Sequence, residues 1–274
     1  MTDRLHDTLA ALSSPGAWRS FRHVFFMSFV DDGKYYLLSA LVIWGLLHVV
    51  LKRRLAHRVI GGWPTRADLR REITYSVSTL CVITALNAGV LALVVSGVVE
   101  VYARPLEHGL AWLLLSLPLM ILWHDLYFYW THRLLHTRWL FRHVHGVHHR
   151  SRNPSPWAAF SFHPVEALVN SMVLPLALFA VPLNEYVVLA FAIHQIIRNA
   201  HGHAGIESLP RGFARHWLGG RFVTTTHHHL HHETGRGNYG LWFTWWDRWC
   251  GTERDDYFER FDKATAPRPR PQAS

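Results

Sequence analysis

Apolar segments alternate with short polar connections along most of the chain. Five runs without charged residues stand out, at Tyr35–Leu51, Ile73–Val99, Gly109–Trp123, Ala167–Asn184 and Tyr186–Ile197. A helix rises about 1.5 Å per residue and the hydrocarbon core of a bilayer is about 30 Å thick, so roughly 20 residues cross it. The second run is apolar on all faces, which favours lipid over a soluble surface. The pattern predicts about four membrane-embedded hydrophobic segments.

The later runs need additional assumptions to fit a bilayer. The third run ends at Trp123 and reaches spanning length only if its helix continues to Trp130, past His124 and Asp125. The last two runs are expected to form a hairpin that bends at Pro182, and whether it crosses the bilayer completely stays open. Buried helices of a soluble protein are the alternative interpretation.

The charge distribution predicts the orientation of these segments. The formal net charge is +9, but the basic residues cluster in the first predicted loop. This positive-inside pattern places the loop, and with it every histidine cluster, in the cytoplasm. We therefore interpret the charge as membrane topology and contact with anionic lipid, and not as nucleic-acid binding. Arginine greatly outnumbers lysine, which suggests a GC-rich bacterial genome and an inner-membrane location. The basic loop residues are Lys52, Arg53, Arg54, Arg58, Arg66, Arg70 and Arg71.

The chain contains 22 histidines, and many of them lie in three short clusters. The first has the pattern His-x-x-x-His and the other two His-x-x-His-His, spacings that place the rings on one helix face. Imidazole suits zinc, copper, iron and nickel, and four-coordinate zinc uses four ligands at most. Eight histidines on one side of the membrane therefore predict two metal ions. The candidate ligands are His132, His136, His145, His148, His149, His228, His231 and His232.

The clusters and the segments between them resemble the fatty acid hydroxylase/sterol desaturase superfamily of membrane di-iron oxygenases. The resemblance runs from about His124 to Thr252 and includes His-Pro-Val-Glu at 163–166, Asn-Tyr-Gly at 238–240 and Trp-Asp-Arg-Trp-Cys-Gly-Thr at 246–252. It implies an all-α fold, a polytopic membrane bundle with a cytoplasmic helical cap that holds the histidines. Residues 1–263 would form a single oxygenase domain, and residues 264–274 a disordered Pro-rich tail.

The resemblance also implies roles for single residues. The eight cluster histidines would bind two irons, and His203 would be a further ligand. Asn199, one helical turn earlier, matches a position that holds a metal ligand or metal-bound water in relatives. His201 departs from the residues usual there, and it would either replace His203 or lie behind the ligands.

Three more residues are candidates for supporting the ligands. Asp125 lies two helical turns before His132, where it could orient an imidazole through its second N–H or bond Arg133 or a tyrosine. His163 and Glu166 match the family signature and are expected to be structural or to support a ligand, with no physical role evident from the sequence.

The implied activity is the hydroxylation or desaturation of a fatty acyl, sterol or related lipid, with O₂ as co-substrate. No haem, flavin or nicotinamide motif is visible, so we expect no bound organic cofactor. Electrons would come from a separate donor, such as a ferredoxin or a cytochrome b5-like protein with its reductase. An acidic carrier or membrane phosphates could contact four arginines near the clusters. These are Arg138, Arg142, Arg150 and Arg152.

Two other functions stay open. A zinc-dependent membrane hydrolase would need an open metal position and a general-base carboxylate beside a histidine pair, but no His-Glu-x-x-His occurs. A non-catalytic metal-binding membrane protein would keep the histidines without turnover. The substrate, the oligomeric state and the identity of the donor do not follow from the sequence.

Overall fold

A computed structural model describes residues 15–268, with side chains from Phe25 onward. The described residues are mostly helical, as the sequence predicts. The histidines predicted as ligands begin in the last turn of the third long helix and continue in the chain after it. The predicted tail begins inside the last helix, because Ala264 is still helical. Residues 269–274 of that tail lie outside the described residues.

Three long helices are apolar enough to cross a membrane. Helix α1 covers Pro15–Trp44 and continues as a π-helical segment, Gly45–Val50. After a short helix, α2 (Lys52–Leu55), the second long helix is α3, Arg66–Val95, and the third is α4, Gly109–Leu135. The expected continuation of the third apolar run past positions 124 and 125 is therefore confirmed.

The predicted hairpin follows as shorter helices. Helix α6 (Pro164–Ser171) and helix α7 (Val173–Ala180) form its first arm, and α8 (Glu185–Gly202) forms its second. At the bend, strand β2 (Leu183–Asn184) pairs in parallel with strand β1 (Val101–Tyr102). Neither arm has both the length and the hydropathy of the three long helices. The first arm is short and is divided between α6 and α7 at residue 172.

The outer surface of the helices carries many apolar side chains. Val95, Leu114 and Val42 are each more than 60% exposed in the isolated chain, which is the pattern expected of lipid-facing positions. Between the helices a core forms from residues such as Met120 of α4 and Leu178 of α7. The bundle thus holds the polar cap at the ends of α4 and α8.

The cap is made of short helices joined by loops. Its own core is formed by Ala214, Leu230, Tyr257 and Phe261. Its elements are α5 (Arg138–His143), α9 (Thr225–Thr234), α10 (Trp245–Trp249), α11 (Tyr257–Ala264) and 3₁₀ helices at His145–Arg150, Pro156–Phe160, Phe213–Arg215 and Gly219–Arg221.

Candidate metal centre

The nine histidines predicted as ligands come together in two groups. Within each group, one ring nitrogen of every member lies within 4.8 Å of those of all the others. The second and third histidine clusters each contribute to both groups, so the two groups are neighbours. The five-histidine group is His132, His136, His145, His149 and His231, and the four-histidine group is His148, His203, His228 and His232.

Several of these rings have their protonation pattern fixed by a backbone carbonyl. The Nδ1 atom of His132 lies 2.8 Å from the Tyr239 carbonyl oxygen, and that of His231 lies 2.7 Å from the Gly237 carbonyl oxygen. A carbonyl can only accept, so each Nδ1 must donate its proton. In the neutral rings the Nε2 atoms then carry lone pairs, which is the form that binds a metal.

The same holds in the four-histidine group. His148 donates from Nδ1 to the Ser161 carbonyl at 3.2 Å, and His203 donates to the Asn199 carbonyl at 2.8 Å. Their Nε2 atoms nevertheless face each other at 3.2 Å. Two lone pairs repel at that distance, so this arrangement suits a cation that both nitrogens can bind.

The spacing of the facing nitrogens fits such a cation. Two imidazole nitrogens at about 2.1 Å from one ion, at right angles, lie about 3.0 Å apart. Seven facing Nε2–Nε2 pairs lie 2.9 Å to 3.2 Å apart, and all the ligand nitrogens of a group lie within 4.8 Å of one another. The donor set, its tautomers and its spacing are therefore all suited to a metal ion in each group.

Burial keeps these rings neutral. Desolvation disfavours the imidazolium, which lowers the pKa of His203 to about 4 and that of His149 to about 3. The pKa of His145, His228 and His231 is also held well below its ordinary value, first by burial and then by neighbouring histidines. At neutral pH the rings are free to act as ligands.

Glu166 supports a ligand directly. Its Oε1 atom lies 2.7 Å from Nδ1 of His145, and both side chains are almost completely buried. The sequence signature could not supply this role, because the partner is 21 residues away. His163 caps the same helix, accepting a hydrogen bond from the backbone N–H of Val165 at 3.2 Å. The signature at 163–166 thus starts α6 and places its carboxylate behind the five-histidine group.

Asp125 has a different role from the one expected. Its oxygens accept hydrogen bonds from the backbone N–H groups of Trp242 and Phe243 and from the indole N–H of Trp245. The ring of His132 is oriented instead by a backbone carbonyl. The expectation that Asp125 bonds an imidazole, Arg133 or a tyrosine is wrong, because the C-terminal segment folds back onto α4 and saturates the carboxylate.

That C-terminal segment is held by a second carboxylate. Asp247 accepts from the backbone N–H groups of Tyr239 and Gly240, each at 2.8 Å. Asn238 adopts a positive φ of 55° and donates from its side chain to the His227 carbonyl. The Asn-Tyr-Gly and Trp-Asp motifs therefore shape the loop whose carbonyls orient two of the ligands.

The two remaining candidates separate clearly. Asn199 is buried, lines the cavity at the histidines and donates from its amide to the Ala159 carbonyl at 2.6 Å. His201 belongs to neither group, and its Nε2 lies 2.8 Å from the Ser208 hydroxyl. Between His201 and His203, the geometry therefore favours His203 as the ligand candidate.

A narrow cavity of only about 10 Å³ touches both groups. Three apolar side chains, Phe128, Leu135 and Phe162, line it together with histidines of each group. Two buried acceptors, Glu166 Oε2 and Asn170 Oδ1, have no hydrogen-bond partner among the described residues. A cavity of this size and polarity suits one small polar molecule beside the candidate metal sites.

The comparisons with known proteins agree with this geometry. The model of the fatty acid hydroxylase family matches residues 117–252, a range that contains all nine histidines. A Delta(7)-sterol 5(6)-desaturase of Gibberella zeae is 31% identical over 220 residues, covering 80% of this chain and 64% of that protein. The chain belongs to the fatty acid hydroxylase/sterol desaturase superfamily. The resemblance inferred from the sequence motifs is thereby confirmed.

Two more relatives define how far the similarity extends. The lathosterol oxidase of Rattus norvegicus is 31% identical over 68% of this chain and 61% of its own length. A Delta(7)-sterol 5(6)-desaturase of Schizosaccharomyces pombe is 28% identical over 93% of this chain and 74% of its own length. The chain thus spans less than two thirds of the length of the Gibberella zeae desaturase and of the rat lathosterol oxidase. No solved structure matches it.

Proposed function

We propose that this protein is a membrane-bound di-iron oxidoreductase that uses O₂ and external electrons to hydroxylate or desaturate a lipid. The observation that carries the proposal is the pair of adjacent histidine groups with opposed Nε2 lone pairs. Nine nitrogen ligands exceed what one four-coordinate zinc ion uses. The superfamily relatives, whose names include sterol desaturase and lathosterol oxidase, support lipid oxidation as the reaction class.

The residues of the two groups would hold one iron each. Bound iron would supply the activation of O₂, which amino-acid side chains alone cannot provide. The chain contributes the neutral form of the ligands and their orientation. Glu166 keeps the proton of His145 on Nδ1, and the carbonyls of Gly237 and Tyr239 do the same for His231 and His132.

The protein must also bring a C–H bond close to the metal site without water. Phe128, Leu135 and Phe162 line one side of the small cavity at the two groups and would limit the access of water to the reacting atoms. A separate apolar cavity of about 220 Å³ lies between α4 and α7, lined by residues that include Trp112, Met120 and Leu176. This opening supports an apolar substrate taken from the bilayer, either a fatty acyl chain or a sterol.

Electrons would come from a separate carrier, such as a ferredoxin or a cytochrome b5-like protein with its reductase. We place the protein in a membrane, in a bacterial inner membrane if its arginine-rich composition reflects its source. The basic loop before α3 supports a cytoplasmic location for the histidines. Asn199 would complete the four-histidine group, directly or through a water molecule.

The decisive measurement is the metal content of the full chain in mild detergent, beside His148→Ala and His231→Ala. We expect about two irons per chain in the wild type and O₂-dependent conversion of a lipid, with a larger loss of iron in His148→Ala, which leaves three nitrogens, than in His231→Ala, which leaves four. One zinc per chain without iron, even after anaerobic iron reconstitution, would replace this proposal with a zinc hydrolase. The absence of any stoichiometric metal would favour a non-catalytic protein.

A further inference from the structure

A six-residue helix connects the first two histidine clusters. Helix α5, Arg138–His143, begins two residues after His136 and ends two residues before His145. Both flanking residues belong to the five-histidine group. A partner protein bound to this helix would therefore lie only a few residues from the five-histidine group.

The inner side of α5 rests on the histidines. The ring of Phe141 lies 5.1 Å from that of His136, 5.2 Å from that of His149 and 6.1 Å from that of His145, measured between centroids. The same phenylalanine would meet a Cβ atom added at Gly235, at the end of α9. Phe141 thus fills the space between the five-histidine group and the protein surface.

The outer side of α5 carries an exposed aromatic ring among basic residues. Trp139 is 66% exposed, and its ring lies 5.1 Å from that of His143, which is also exposed. Arg138 and Arg142 are exposed as well. We call these four residues the α5 surface. Tryptophan and arginine are the residue types most enriched where protein partners bind tightly.

The positive charge of the α5 surface is not neutralised within the described part of the chain. Arg138 and Arg142 form no ion pair there, whereas Arg215, Arg254 and Arg260 each pair with a carboxylate. An acidic partner would find two unpaired guanidinium groups beside a large apolar ring. Positive charge of this kind accelerates the encounter with an acidic protein.

We propose that the α5 surface binds an acidic one-electron carrier protein and that electrons enter the centre through the five-histidine group. This inference rests on the proposed function. Each encounter oxidises one reduced carrier by one electron, so two encounters serve one turnover. Those two electrons and two protons, with one O₂, convert a C–H group to an alcohol and one water. In desaturation they yield a double bond and two waters.

Stopped-flow reduction of the iron-loaded full chain in detergent, under anaerobic conditions, tests the proposal. A reduced plant-type [2Fe–2S] ferredoxin and a reduced soluble b-type cytochrome serve as carriers, and their own absorbance reports oxidation. The double variant Arg138→Glu/Arg142→Glu should lower the second-order rate constant at least about tenfold at low salt. The difference should shrink as salt rises. Trp139→Ala should lower the rate constant at every salt concentration.

The matched control is Arg66→Glu/Arg70→Glu, which makes the same charge change at exposed positions of α3. It should leave the rate near that of the wild type. Dithionite reduction and iron content should not change in any variant. An equal loss of rate in the control, an unchanged rate in the α5 variants, or reduction by dithionite but by neither carrier would overturn the proposal. An unchanged rate would assign the α5 surface to membrane phosphates.

The two proposals fail in different ways. If dithionite reduces no metal in the wild type, the di-iron function fails, whatever the α5 surface binds. If dithionite reduces the centre and lipid oxidation proceeds with it, but the α5 variants accept carrier electrons normally, only the docking site fails.

Discussion

The two histidine groups share two chain segments, yet their supports differ. In the five-histidine group, a buried carboxylate, Glu166, holds His145. The carbonyls of Gly237 and Tyr239 hold two further ligands, and Asp247 fixes the loop that carries Tyr239. This group has more candidate ligands and a side-chain carboxyl among its supports.

The four-histidine group is less constrained. The carbonyls of Ser161 and Asn199 hold two of its rings. The Nδ1 atoms of His228 and His232 are buried without a hydrogen-bond partner among the described residues, whereas in the five-histidine group only that of His149 is. Partners of this kind fix the ring orientation and raise the basicity of a ligand. The five-histidine group thus has more candidate ligands, and partners hold the Nδ1 atoms of three of them against two in the four-histidine group.

Removing one candidate ligand from each group should reveal the difference between the two groups most strongly. His136→Ala leaves four nitrogens in its group, whereas His232→Ala leaves three. We expect His136→Ala to retain most of its iron at saturating metal, and His232→Ala to fall to about one iron per chain. Lipid oxidation should fall at least about a hundredfold in His232→Ala. Iron analysis with turnover assays measures both, and equal iron loss in the two variants would contradict the comparison.

Acid should remove iron from the less supported group first. In the metal-free protein, burial lowers the pKa of His203 to about 4 and that of His149 to about 3. The unfolded chain binds these protons near pH 6.5, so stability is lost as pH falls below 6.5 and continues to fall toward the folded pKa. Each such histidine lowers the free energy of unfolding by about 1.4 kcal/mol for each pH unit in that window.

Thermal unfolding of metal-free and iron-loaded protein, recorded between pH 7 and 5, measures this effect. The melting temperature of the metal-free form should fall steeply, and the iron-loaded form should resist until iron is released. Iron content should pass through a plateau at about one per chain, because two of the four rings of the four-histidine group lack an acceptor, against one of five in the other group. If the melting temperature of the metal-free form did not depend on pH, the histidines would not be buried in their neutral form.

Much of this arrangement follows from the sequence, and the reasons are local. Apolar runs predict the long helices because lipid requires them, and the spacing of three or four residues places histidines on one face. The partition into five and four does not follow. His145 and His149 join one group while His148 joins the other, a division set by how the 3₁₀ helix packs.

The supporting residues were the least predictable part. Asp125 has the right helical spacing to reach His132, but the segment at Trp242 returns from 117 residues away and occupies the carboxylate. Glu166 contacts His145 only because α6 folds back onto the cap. Backbone carbonyls such as that of Tyr239 leave no side-chain signature at all. Long-range returns of the chain decide these contacts, and local pattern does not encode them.

Loss of the Glu166 carboxyl should weaken the five-histidine group by an intermediate amount. Glu166→Ala removes the acceptor of His145 Nδ1 and frees the ring to rotate or change tautomer. Metal affinity or activity should fall about 10- to 100-fold. Glu166→Gln keeps an acceptor oxygen and should recover part of the loss. Iron titration should show a weakened five-histidine site beside an unchanged four-histidine site, and an unchanged iron affinity in Glu166→Ala would contradict the role of Glu166 as the acceptor of His145 Nδ1.

The smallest expected effect comes from the cap of the helix that carries Glu166. His163→Ala removes the acceptor of the Val165 N–H, which should lower the free energy of unfolding by about 0.5–2 kcal/mol. The 2.7 Å contact between Glu166 and His145 is held by packing on both sides, so iron content should stay at about two per chain. His163→Asn restores a capping side chain and should recover the stability. Thermal unfolding with iron analysis separates the two effects, and iron loss in His163→Ala alone would mean that the cap positions the carboxylate as well as the helix.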